Sequence, residues 1–550
     1  MKKTLSFLLL LCCLPMGCVG DLYHAVVPFE DEEYWWGGAV ALGSKMPYLQ
    51  PVAAFDLALR NDNNQTAPLF LSSRGRYVWS DSPFTFEIKN NSLIITSADR
   101  PVTVRQAGTT LREAYLTAAA AHFPPSGTTP DSLFFTMPQY NTWIELMYNQ
   151  NQDDVLRYAH DVVRNGFPPG ILMIDDNWQK HYGNFAFKPD KFPDPKAMIA
   201  QLHAMGFKVM LWVCPFVSPD SPEYRALAGR GYLIREKATD APAVIRWWNG
   251  ASACYDLTNP GAVDCFVAQL KALQTDYGVD GFKFDAGDSR FYNPRHIAGF
   301  DADALAVTHS EAWAAIGLQF PFNEFRACWK MGGQPLVQRL GDKDYSWAAL
   351  RLLAPDMLAA GLLGYPYACP DMIGGGQFTS FLGVDADRFD QPLIVRSAQV
   401  HALMPMMQFS VAPWRILSRD HLAIVRQAAW LHVGMGDYMA ACAAHSAKTG
   451  EPIVRHMEYA FPHEGFAQCT DQFMIGERLL VAPVVTPENV RTVRFPSGTW
   501  RDENGQTIEG GVTRQYDVPL EKLLCFERTT QPCTTGDEHR PGQSSIYKTD

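Results

Sequence analysis

Asp285 closes a short apolar run, Gly281-Phe-Lys-Phe-Asp-Ala-Gly287, that sits between turn residues and reads as one buried strand. A buried strand gains nothing from a carboxylate unless that carboxylate is paired or used. Lys283, two residues back on the same side of the strand, would keep Asp285 ionised. Taken alone, Asp285 could equally be a helix cap. Similar runs nearby end the same way, at Asp175-Asp176-Asn177-Trp178, Asn323-Glu324-Phe325-Arg326, Asp342 and Asp371. Gathered on one rim, they would form an anion-rich cup. No metal is indicated, because His160, His181 and His203 are scattered and lack metal-ligand spacing. Two carboxylates on different strands, without metal or phosphate-binding glycines, suit glycoside hydrolysis: one attacks or stabilises an oxocarbenium-like centre and the other protonates the leaving oxygen. Asp342 starts a loop, where a carboxyl can alternate between acid and base, and Asp344 competes for that role.

The elements that must position these groups alternate from about residue 133, strand then helix, with a period near 35 residues. Eight strands are expected: Phe134-Phe135 running to Trp143, Ile171 to Asp175, Val209 to Val213, Phe282 to Asp285, Gln319 to Arg326, the stretch around Arg339 to Asp342, Gly364 to Cys369, and Gln408 to Trp414. Helical patterns lie between them, as at Val155 to Asn165 and Ala262 to Tyr277. The fold class is therefore α/β, a (β/α)8 TIM barrel whose active-site mouth is the C-terminal end of the strands. Strand-like segments before and after imply an N-terminal β-sandwich over 21–125, a barrel over 126–445 and C-terminal β-structure over 446–528. Residues 529–550 read as a polar, disordered tail. Within the sandwich, Asn90-Asn91 between two apolar runs signals a hairpin. Tyr34-Trp-Trp-Gly-Gly38 is either a packing plug or a lip over the site, which makes Trp36 a candidate sugar contact.

Composition narrows the partners. A net charge of -11 argues against nucleic acid or an anionic membrane as partner; the paired carboxylates make a glycoside or oligosaccharide the expected partner, with no cofactor. Lys2 and Lys3 before the apolar run Leu5 to Leu14 read as an export signal, at positions 1–20, with Cys18 a possible lipid-attachment site. Of twelve cysteines, Cys12, Cys13 and Cys18 fall in that segment; the other nine are spread thinly and suggest neither zinc nor a disulfide framework.

Over roughly 110–485 the chain resembles glycoside hydrolase family 31. Gly281 to Asp288 is similar to that family's nucleophile strand, and Leu340-Gly-Asp342 with Tyr345-Ser-Trp347 to its acid/base segment. The resemblance implies a nucleophile at Asp285, an acid/base at Asp342, a substrate-gripping Asp175 or Asp176, and Arg326 beside sugar hydroxyls. It also implies retention through a covalent glycosyl-enzyme. Asp371-Met-Ile-Gly-Gly375 is one residue longer than the seventh-strand motif of typical family α-glucosidases, and Phe409 to Trp414 lacks their sugar-binding His. Trp247-Trp-Asn-Gly250 and Pro370-Asp-Met-Ile-Gly374 look instead like the branch that contains the myogenesis-regulating glycosidase. That branch implies an α-galactosidase, with Trp248 stacking on the sugar, Lys283 bonding it and Asp371 at the site. Trp248 has a plainer reading as a core aromatic, and Lys283 as an ion-pair partner of Asp285. An α-glucosidase, an α-xylosidase or a catalytically silent carbohydrate-binding barrel are the alternatives.

Overall fold

Eight parallel strands, each a few residues long and almost wholly buried, form the centre of the molecule. They are Gln139–Asn141, Ile171–Ile174, Lys208–Val213, Gly281–Phe284, Phe322–Phe325, Gln338–Arg339, Ala368–Cys369 and Gln408–Phe409. In this computed structural model, which describes residues 23–97 and 100–529, the strands pair in barrel order from the seventh down to the first and then to the eighth. A bridge between Met372 and Gln408 joins the two ends of the sheet. In the middle of the barrel, Trp212 stands beside Lys283, and Lys283 beside Glu324. Interior side chains from neighbouring strands thus meet in layers.

The helices begin where side chains can satisfy their first amides. Asn151 caps Gln152–Arg164, Asp194 caps Pro195–Ala204 and Asn259 caps Pro260–Tyr277, the last two with proline in the first turn. Gly278, at φ 82°, ends the third of these in the left-handed conformation and turns the chain into the Asp285 strand.

The first and last barrel strands differ from the sequence expectation. Phe134 and Phe135 lie in a short helix, Leu133–Thr136, and the strand starts later, at Gln139. Pro413 opens a helix, Pro413–Ile416, so the eighth strand stops at Phe409.

The N-terminal strands form a four-stranded sheet and supply four strands of a five-stranded one. Asn90 and Asn91 both adopt positive φ (52° and 53°) in the expected hairpin, as a type I′ turn requires. A piece of the barrel chain, Cys328–Trp329, adds in parallel to the Gln65–Ser72 strand of the second sheet and fastens the two units together. Trp36 lies in the same sheet, 1% exposed, with its ring 5.2 Å from that of His456. It is a packing plug and not a sugar contact, which corrects its candidacy. C-terminal strands from Val454 to Thr529 form a six-stranded sheet and a two-stranded one. Among the described residues no helix is long and apolar enough to cross a membrane. The export signal with Cys18, and all of the polar tail but Thr529, lie outside the described residues.

Candidate active site

A cavity of about 310 Å³ opens where the barrel strands end. Asp175, Asp176, Trp248, Lys283, Asp285, Arg326 and Asp342 all line it, so residues far apart in the chain converge on one place. Such a volume, with aromatic walls and a few convergent polar groups, is typical of a small-molecule site.

Asp285 is held from three sides. Its Oδ1 accepts from Arg326 Nε at 2.7 Å and from the backbone N–H of Ala286 at 2.7 Å; its Oδ2 accepts from Trp212 Nε1 at 2.9 Å. Burial alone would raise its pKa. The charges of Arg326 and Lys283 and the hydrogen bonds from Trp212 and Arg326 outweigh burial, and the carboxyl is held well below the usual carboxylate range. The result is an anion fixed at the cavity floor. Just beyond it the chain turns through Ala286 (φ 60°) and Gly287 (φ 76°), and this turn presents the carboxylate at the strand's end.

Arg326 does more than line the cavity. Its terminal nitrogens donate to Asp288, at 2.7 and 3.4 Å, while Nε holds Asp285. Its guanidinium carbon lies 5.3 Å from the Trp248 ring centroid, a cation–π contact. Trp248 is 44% exposed, which rules out the core-aromatic reading.

Lys283 corrects an expectation. Its Nζ donates to Asp175 Oδ2 at 2.6 Å, with both side chains buried, so its ion pair is with Asp175 rather than Asp285. Its charge still helps to keep Asp285 ionised. Asp176 is different again: burial, followed by the neighbouring Asp175 charge, pushes its pKa up to about 7. Its Oδ2 accepts from Tyr182 and Asn249, while Oδ1 is buried with no hydrogen-bond donor among the described residues.

Asp342 stands on the loop after the sixth strand, more open than the others, and accepts from Arg339 Nη1 at 2.6 Å. Asp344 points elsewhere, accepting from Ser380 outside the cavity lining. Asp371 is fully buried behind the cavity and does not line it. Its carboxylate accepts from Arg339 Nη1 and from the backbone N–H groups of Lys343 and Gly376. It braces the Asp342 loop and does not contact the cavity, a second correction to the candidate residues.

Several contributors carry little sequence signal. Trp212, the donor to Asp285, reads as one more apolar residue in a buried strand. Trp143 and Tyr148 follow the first strand, and their rings, 5.4 Å apart, wall the cavity together with Phe378. Asn63, on a sandwich loop, reaches the cavity rim and accepts from Arg290 at 3.3 Å. Its neighbours clamp the barrel: Asn64 Oδ1 accepts from the Gly341 N–H at 2.8 Å, and Gln65 Nε2 donates to the Arg326 carbonyl at 2.7 Å. No group of three or more His, Cys, Asp or Glu side chains among the described residues is placed to hold a metal ion.

Residues 136–440 match the TIM-barrel domain of glycosyl hydrolases family 31, and residues 450–530 match that family's C-terminal domain. The chain is 34% identical over 419 residues to the myogenesis-regulating glycosidase of Mus musculus, covering 74% of this chain and 58% of that protein. It is 27% identical to an alpha-xylosidase of Emericella nidulans, over 68% of this chain and 50% of the relative. The chain thus spans between half and three-fifths of the length of these relatives. Among solved structures, a Flavobacterium johnsoniae dextranase complexed with glucose superposes with a TM-score of 0.81 at 20% identity, covering 93% of this chain and 67% of the other. That likeness concerns the fold.

Proposed function

The chain belongs to glycoside hydrolase family 31, and on that premise we propose that it is a retaining, exo-acting α-glycoside hydrolase that removes terminal α-galactose. The observation that carries the chemistry is the contrast between the two carboxyls of the cavity. Asp285 is buried, triply held and kept anionic; Asp342 is more open, on a loop, with a single side-chain partner. A fixed anion suits attack at the anomeric carbon, and a more accessible carboxyl suits proton transfer.

In the first step an Asp285 oxygen forms a bond to the anomeric carbon as the glycosidic C–O bond breaks. Asp342, protonated, gives its proton to the departing oxygen, and the aglycone leaves as an alcohol. In the second step the Asp342 carboxylate takes a proton from water, the water oxygen bonds to the anomeric carbon, and the Asp285 ester bond breaks. Two inversions leave the anomeric configuration retained. Arg326 orients Asp285 throughout, and Trp248 offers a flat apolar face for a sugar ring. The Lys283–Asp175 pair and Asp176 offer donors and acceptors for its hydroxyls.

The galactose preference rests on the resemblance to the branch containing the myogenesis-regulating glycosidase, and on Trp248 standing at the cavity. The names of other relatives, alpha-xylosidase and alpha-glucosidase, support the alternative of a different terminal α-sugar. Hydrolysis of aryl α-glycosides of galactose, glucose, xylose and N-acetylgalactosamine separates them, with Asp285→Asn as the blank. Dominant galactoside cleavage that vanishes in the variant is expected. Preference for another sugar would overturn the specificity but leave the mechanism. Turnover undiminished in Asp285→Asn would overturn the mechanism.

A further inference from the structure

The strands Val244–Trp247 and Gly250–Cys254 form an antiparallel hairpin whose two-residue tip is Trp248-Asn249. The tip faces the cavity, and Trp248 packs edge-on against Trp247 with ring centroids 4.9 Å apart. Below its tip the hairpin is anchored by apolar packing: Trp247 is buried against Phe216, ring centroids 4.5 Å apart, and Gly250–Cys254 pairs with the Phe216–Val217 strand. At the tip itself Asn249 adds a polar tie. Asn249 Nδ2 donates to Asp176 Oδ2 at 2.6 Å and to the Tyr182 hydroxyl at 3.0 Å, while its Oδ1 accepts from the Tyr148 hydroxyl at 2.7 Å. These partners come from three separate segments: the end of the second strand, the Gln179–His181 hairpin and the loop after the first strand. Every hydrogen-bonding direction but one of the amide is used, and Tyr148 and Asp176 themselves line the cavity.

We propose that Asn249 is a positioning residue that latches this hairpin onto the barrel rim, setting the Trp248 ring over the cavity and holding the Asp176 carboxyl in place at its wall. The proposal rests on the glycosidase reading for its catalytic consequence, but the latch itself is a property of the fold. Asn249 touches no reacting atom. It acts through Trp248 and Asp176, one an apolar face and the other a carboxyl of the cavity lining. An amide is the fitting residue type because it must donate to a carboxylate and accept from a phenol at once. A carboxylate in its place would confront Asp176 directly.

The charged and titratable groups around Asp176 include Asp175 on its own strand, Asp285 and the Asp175-paired Lys283 across the barrel, Tyr148, Tyr182 and Lys188 on the adjoining loops, and Cys214 after the third strand. Lys283 is already paired with Asp175, so a second carboxylate at position 249 would be tolerated best when one of the two carries a proton.

Two variants and two readouts test the latch. Hydrogen–deuterium exchange of the 244–254 amides in the intact chain is expected to quicken by about tenfold or more in Asn249→Ala, which removes all three side-chain hydrogen bonds. This readout needs no turnover, so it stands or falls apart from the glycosidase reading. With the aryl glycoside cleaved best by the unaltered protein, Asn249→Ala is expected to raise KM by roughly tenfold while kcat falls less, because Asp285 and Asp342 keep their own partners. Asn249→Asp is expected to lose activity as pH rises past the value of about 7 that Asp176 has in the unaltered protein and to recover it on acidification, because a shared proton restores the bond. Unchanged exchange in the hairpin would overturn the latch. Quickened exchange with an unchanged KM, and an Asn249→Asp pH profile matching that of the unaltered protein, would overturn its role in positioning.

Discussion

At the scale of single residues the cavity sorts its carboxyls by environment. Asp285 and Asp176 both sit deep, yet their pKa values move in opposite directions. Arg326, Lys283 and Trp212 overcome burial at Asp285, whereas Asp175 adds its negative charge to the burial of Asp176. The sign of each effect on stability follows. Asp285, depressed, contributes stability above its unfolded pKa, and that contribution is lost as pH falls through the folded value. Asp176, raised to about 7, contributes stability that is fully present below its unfolded value of about 4 and is lost as pH rises through 7. Asp176→Asn, neutral at every pH, should therefore melt at about the same temperature as the unaltered protein at pH 4, and roughly 5 °C higher at pH 8. Calorimetry at the two pH values checks this; a variant less stable at pH 8 would contradict it.

At the scale of elements, the turn after the fourth strand is the most constrained feature near the cavity. Gly287 adopts φ 76°, and a Cβ there would lie 2.2 Å from Trp313 Cδ1, in a ring that is fully buried. Neither the backbone nor the ring can give way cheaply, so Gly287→Ala should cost at least about 2 kcal/mol and displace Asp285. Chemical denaturation measures the first, and a matching loss of turnover the second. The strand end at Asp285 was legible in the sequence because an apolar run between glycines stops at a carboxylate, and other apolar runs in the chain stop the same way. The partner of Lys283 was not. Alternation along one strand puts Lys283 and Asp285 on the same side, but inside a barrel the nearer neighbours belong to other strands, and Asp175 is one of them. Asp371 misled for a related reason: it ends a barrel strand like the others, but Arg339 and two backbone amides consume its carboxylate. The hairpin behind Trp248 escaped because its strands are four and five residues long, and Arg246, Ser252 and the alanines of the second strand dilute their apolar pattern.

At the scale of the whole molecule, the barrel is not self-sufficient. The Gln65–Ser72 strand of the sandwich takes on Cys328–Trp329 from the barrel, while Asn64 and Gln65 bond the loops that carry Asp342 and Arg326. Order along the chain shows where the sandwich lies but cannot show that its loop reaches the cavity rim, and Trp36 drew attention to the wrong aromatic. A chain starting at Gly108 should accordingly be insoluble or inactive, because removing the sandwich exposes the partner strand and frees both loops. A soluble barrel with undiminished turnover would contradict that dependence. The central claim, that Asp285 becomes bonded to the sugar, is tested most directly by trapping. The protein is incubated with the 5-fluoro glycosyl fluoride of the sugar it cleaves best, and its peptides are weighed by mass spectrometry. The account predicts one glycosyl adduct on the peptide that carries Asp285, absent from Asp285→Asn. An adduct on Asp342 or Asp176, or steady turnover with inversion and no adduct, would contradict it.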